Sequence, residues 1–180
     1  MSTGTAQQTV GYYGMRGWTT RKEIKKILSP HLVGLPLPTD DVQPDVVGNY
    51  EPFHGVGAET AEKLLKTLPE QNLKDRQNCS PVAEELLRAA VENAGQVDLV
   101  GYAVGPARPD ERVTIEGFVY YGHPEFKVAD FHDVTCECNE LWECLKKELN
   151  LSSALDRPDE IRALRPSWNP SREGWWLWWD

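Results

Sequence analysis

Apolar positions recur along this chain with two different periods. Between Ala58 and Leu68, residues Ala61, Leu64, Leu65 and Leu68 return every three or four positions and share one helical face, with Pro69 as the stop. Val82 to Ala94 repeats that pattern after Ser80-Pro81, read as an N-cap with Pro at the first helical position, and Gly95 ends it. The period then shortens. Val97 to Val104 and Arg112 to Tyr121 are rich in Val, Ile, Phe and Tyr around a Gly-Pro-Ala-Arg-Pro-Asp loop, which predicts a β-hairpin. Phe126 to Phe131 predicts a third strand. Leu141, Trp142, Leu145 and Leu149 predict an amphipathic helix, and Asp156 to Leu164 a short helical turn before Pro166. Trp175 to Trp179 reads as a last strand.

Near the start, Val10 to Tyr13 predicts a short strand. Thr20 and Glu23 fit a capping box for a helix carrying Ile24, Ile27 and Leu28 on one side, ended by Ser29-Pro30. Strands cluster with helices around them instead of alternating with them, so the fold class is α+β. The expectation is a single domain over 1–180, a small, mostly antiparallel sheet flanked by three to five helices. It divides into a basic strand–helix arm at 1–30, a Pro- and Gly-rich irregular connection at 31–58, and an acidic body at 59–180 with a Trp-rich C-terminal strand.

Composition narrows the function. A chain of 180 residues makes one well-buried core but scarcely two ordinary domains. No apolar run approaches the ~20 residues of a membrane span, and residues 1–9 lack the basic and apolar regions of a signal peptide. No membrane partner is therefore expected, and Cys79, Cys136, Cys138 and Cys144 then read as reduced thiols, which places the expected location in the cytoplasm. Net charge is −9, unevenly spread: residues 1–30 are basic, whereas Asp40, Asp41, Asp45, Glu51, Glu59 and Glu62 follow one another without an intervening Lys or Arg.

Five of the seven tryptophans lie between Trp168 and Trp179. Trp combines a large apolar area with one N–H donor and concentrates where proteins grip partners. In an extended tail, Trp175, Leu177 and Trp179 point one way and Trp176 and Trp178 the other, so one set suits a core and the other a contact surface. The candidate partner-binding residues are Trp168, Trp175, Trp176, Trp178 and Trp179, together with the six acids above, which can face a basic groove as the phosphates of nucleic acid do.

A second reading uses nucleic acid. Tyr12, Tyr13, Arg16, Trp18, Arg21, Lys22, Lys25 and Lys26 interleave rings with cations, a pattern that stacks bases and contacts phosphates. Residues 50–65, through Gly55-Val56-Gly57 and Leu64-Leu65, resemble the helix-hairpin-helix motif of DNA-repair proteins. That resemblance implies a tight glycine turn after one helix, whose N–H groups hold a phosphate at the start of the next. The acids around it oppose such binding.

A third reading uses metal. His123, Asp130, His132, Asp133, Cys136, Cys138 and Cys144 offer the donors of a zinc or hydrolytic centre. Their spacing matches no standard signature and assembles no recognisable tetrahedral set, so no cofactor and no stoichiometric zinc are expected. No nucleophile elbow, P-loop or dinucleotide fingerprint is present. The sequence therefore favours a non-catalytic binding protein, with a nucleic-acid module and a metal-dependent enzyme built on the His123–Cys144 region as alternatives.

Overall fold

Five strands order the rest of the molecule: β3 (Tyr50–Val56), β4 (Val97–Val104), β5 (Arg112–Tyr120), β6 (Glu160–Leu164) and β7 (Gly174–Trp178). They form one antiparallel sheet in the order β3-β4-β5-β7-β6. The computed structural model describes residues 9–34 and 50–180. Its helices are α1 (Trp18–Arg21), α2 (Ile24–Leu28), α3 (Ala58–Thr67), α4 (Glu70–Leu73), α5 (Ala83–Glu92) and α6 (Cys138–Glu148), and the class is α+β as expected. Among the described residues, no helix is long and apolar enough to cross a membrane.

The helices share a single core with one face of the sheet. Leu64 of α3, Leu86 and Leu87 of α5, and Leu141 and Leu145 of α6 meet Val97, Leu99, Phe118, Leu177 and Trp179 there. Ala61 faces this core from α3, as do Ala83, Ala89 and Ala90 from α5; such small residues let helices approach closely. Gly101 is where β4, β5 and Phe53 converge. A Cβ at that position would stand 2.0 Å from the Thr114 carbonyl oxygen and 2.8 Å from Phe53 Cζ, so only glycine fits.

A β-bulge sets which side chains face inward. Val100 pairs with Gly117 but Gly101 with Ile115, leaving Glu116 as the extra residue of β5. Val113 and Ile115 therefore enter the core before it, Phe118 and Tyr120 after it. Val100, Tyr102, Val104, Val119 and Tyr121 are buried too, yet none belongs to that core. They lie on the opposite face.

Several local expectations need correction. Val10 to Tyr13 is not one strand: β1 (Val10–Gly11) and β2 (Gly14–Met15) form a hairpin around Tyr12-Tyr13. The capping box is absent, because Thr20 lies within α1 and Glu23 adopts a left-handed φ of 52° that separates α1 from α2. Ser80 does not cap α5. Its N-cap is Val82, and the Ser80 hydroxyl accepts from Gln77 N–H and donates to the Pro81 carbonyl. Residues 50–56 of the expected irregular connection form strand β3, and 35–49 fall outside the described residues. Phe126 to Phe131 forms no strand, and residues 160–164 are strand β6 instead of a helical turn.

Candidate binding face

The face of the sheet opposite the helices is paved with aromatic rings. β7 explains why. Trp175, Leu177 and Trp179 enter the core, so Trp176 and Trp178 necessarily point the other way and stay half-buried. Tyr50 of β3 lies beside Tyr102 of β4, ring centroids 4.9 Å apart, and Arg112 sits over Tyr102 at 5.5 Å. Trp168 comes from the loop between β6 and β7 and reaches back to β3. Its indole lies over Gly55, whose φ is +71° and where a Cβ would stand 2.6 Å from Trp168 Cδ1. His54 packs against the same ring at 5.2 Å, and burial holds its imidazole below the usual histidine range.

Two of these three indoles are tethered to a carboxylate. Trp168 Nε1 donates to Asp98 Oδ2 at 2.9 Å and Trp176 Nε1 donates to Glu160 Oε2 at 2.9 Å, while the Trp178 side chain lies near enough to the Glu116 carboxyl to favour its charged form. The two core indoles of the tail donate to backbone carbonyls instead: Trp175 to His123 and Trp179 to Asp156. A bond to a charged acceptor fixes a ring more firmly than one to a neutral group. Trp168 and Trp176 are thus held at their N–H edges.

The charges on this face are unequal. Glu160 is paired with Arg162 at 2.9 Å, and Arg112 with Asp110 at 2.6 Å. Among the described residues, Asp98 accepts from Trp168 and, at 2.8 Å, from the Tyr121 hydroxyl. Burial and then that bond push Tyr121 up to about 12. Burial raises the Glu116 carboxyl above its usual range; the neighbouring Trp178 side chain offsets part of this, and the nearby Asp180 charge adds to it. Among the described residues, neither Asp98 nor Glu116 has a cationic partner. The arrangement therefore offers flat apolar rings beside two uncompensated acids, the chemistry that receives an ammonium or guanidinium group.

Other candidates from the sequence meet different fates. Glu51, Glu59 and Glu62 are neutralised by Lys25, Lys63 and Lys66, while Asp40, Asp41 and Asp45 lie outside the described residues. The basic arm is turned onto its own chain. Arg16, Arg21 and Lys22 donate to backbone carbonyls, Lys26 pairs with Glu23, Tyr13 bonds Asp75, and Trp18 is buried in the core. Tyr12 stays exposed. At Gly55-Val56-Gly57, the chain ahead of α3 is strand β3 and not the helix that a helix-hairpin-helix requires.

The metal candidates divide into two sets, His132 with Cys136 and Cys138, and His123 with Cys144 and Glu148. Asp130 and Asp133 join neither; Asp133 instead accepts from Thr135 N–H and Oγ1. Burial pushes the Cys136 thiol up, but bonds with His132, Cys138 and nearby backbone outweigh it and bring the thiol down to about 7.

Sequence reasoning missed Asp98, Glu116, Glu160, Tyr50, Tyr102, His54 and Tyr121 as members of this face. One signal was present: Leu99 to Val104 is apolar at both parities apart from Gly101, the mark of a strand occupied on two sides. Comparison of the chain with family models, with characterised proteins and with solved structures finds no match in any of the three.

Proposed function

We propose that this chain is a non-catalytic binding protein that holds a protein partner on the outer face of its sheet. Arg and Lys side chains of the partner reach Asp98 and Glu116 between the rings of Trp168, Trp176 and Trp178. The observation that carries this reading is the tethering of two half-buried indoles to carboxylates, with a third half-buried indole beside Glu116, on a face that shares no side chain with the helical core. The net charge of −9 favours encounter with a basic partner, including one whose groove otherwise takes nucleic acid. Direct binding of nucleic acid fits less well, because acids on the face repel phosphate and most cations of the N-terminal segment are already engaged. Four unbridged cysteines favour a reducing compartment, the cytoplasm.

Calorimetric titration with an oligoarginine peptide tests this reading. Trp176→Ala/Trp178→Ala leaves the net charge untouched, so any general attraction of an acidic protein for a cationic peptide survives it. The double variant is expected to bind at least about tenfold more weakly, ~1.4 kcal/mol. Asp98→Asn is expected to weaken binding similarly, and duplex DNA at the same salt to bind more weakly than the peptide. Equal affinity of the double variant and the parent would overturn the proposal.

A further inference from the structure

We propose that His132, Cys136 and Cys138 form a zinc site at the start of α6, one that fastens the 122–137 loop to that helix. In sequence these residues match no zinc signature. In the fold a tight turn brings them together. Cys136 N–H donates to the Asp133 carbonyl at 3.1 Å, and Thr135 N–H donates to Asp133 Oδ1 at 2.8 Å, which swings His132 back toward Cys136. A reciprocal pair then closes the loop: Glu137 N–H donates to the Lys127 carbonyl at 2.8 Å, and Lys127 N–H to Glu137 Oε2 at 2.7 Å.

The three donor atoms lie within 4.8 Å of one another, and His132 Nδ1 is 3.3 Å from Cys136 Sγ. A tetrahedral zinc with its usual bond lengths separates sulfur from nitrogen by about 3.5 Å and sulfur from sulfur by about 3.8 Å. Adjustments of a few tenths of an ångström to an ångström therefore suffice, which side-chain rotation supplies. Two sulfurs and one imidazole select zinc over magnesium or calcium, which take oxygen. Cys138 is buried in the core at the first position of α6, so one ligand is anchored while the other two come from the loop. His132 is exposed, which leaves the fourth corner to water. Phe131 and Val134, both exposed, flank His132, so the metal fixes the position of this apolar pair.

The second set is satisfied without a cation. His123 Nδ1 and Nε2 already meet Glu125 at 3.0 Å and Glu148 at 2.6 Å, and Glu148 also accepts from the Tyr120 hydroxyl at 2.7 Å. That contrast supplies the control. Chelator-treated protein under a phosphine reductant is titrated with Co(II), followed by absorption, and zinc content is measured after reconstitution. The expected result is one metal per chain, with thiolate charge-transfer and tetrahedral ligand-field bands. His132→Ala and Cys136→Ser, both outside the buried core, are expected to abolish these bands, whereas Cys144→Ser keeps them. Absence of the bands in the parent protein, their loss in Cys144→Ser but not in Cys136→Ser, or a Cys136–Cys138 disulfide persisting under reductant would each overturn the assignment.

Discussion

Truncating Trp179 to alanine is expected to cost about 3–5 kcal/mol of folding stability, a large part of the ~5–15 kcal/mol that holds a domain together. Its side chain is fully buried, packed edge-on against Trp142 at 5.4 Å and tilted against Phe118 at 6.3 Å. Its indole N–H donates to the Asp156 carbonyl at 3.3 Å, so truncation also strands that acceptor. Trp176→Ala and Trp178→Ala remove rings of the same size from half-buried positions and are expected to cost less than half as much. Urea melts of the three variants check this directly. Equal losses would mean that the outer face is core and not a contact surface.

Glu111→Ala is expected to release the N-terminal segment and cost about 2–5 kcal/mol. Glu111 is buried at the end of the loop before β5, where Oε2 accepts from Gly17 N–H at 2.7 Å. Oε1 accepts from Thr19 N–H at 2.7 Å and from the Thr19 hydroxyl. These are the first donors of α1, which no side chain of its own cap satisfies. Removing the carboxylate leaves them without a partner away from water, at roughly 1–3 kcal/mol for each unsatisfied group. Hydrogen exchange locates the effect: the amides of α1 and α2 are expected to lose protection while β4 and β5 keep theirs. Uniform loss of protection would show that Glu111 supports the whole fold and does not merely fasten one segment.

Legibility in the sequence followed the strength of local signals. α3, α5, α6 and the β4–β5 hairpin were read from apolar spacing because each carries an unbroken amphipathic or apolar run. β3 was hidden by Pro52 and Gly55. An edge strand tolerates both, and here the bulge between Phe53 and Val56 absorbs the glycine. β6 was hidden by composition, since Glu160, Arg162, Ala163 and Leu164 are good helix formers; pairing with β7 overrides that preference. Phe126 to Phe131 looks strand-like, yet the Lys127 backbone bonds to Glu137 at the entry to α6 instead of to a strand.

The alternation of the tail correctly separated Trp175 and Trp179 from Trp176 and Trp178. The acids of the face were not legible, for a geometric reason. Glu116 comes to lie near Trp178 because it sits at a bulge, and Asp98 receives Trp168 across a separation of 70 residues. No local period encodes either contact. Of the carboxylates singled out in the sequence, those among the described residues, Glu51, Glu59 and Glu62, stand next to lysines, the last two at the i, i+4 spacing common on helix surfaces.

The most direct test of the binding face reads the indoles one at a time. Each Trp Nε1–H gives its own signal in a ¹H–¹⁵N spectrum, assigned by single Trp→Phe replacements and followed during titration with the oligoarginine peptide. The signals of Trp168, Trp176 and Trp178 are expected to move together and saturate at one peptide concentration, while those of Trp175 and Trp179 stay in place. Saturable shifts confined to Trp175 and Trp179, or no movement of the three outer indoles at saturating peptide, would contradict the assignment of this face as the binding surface.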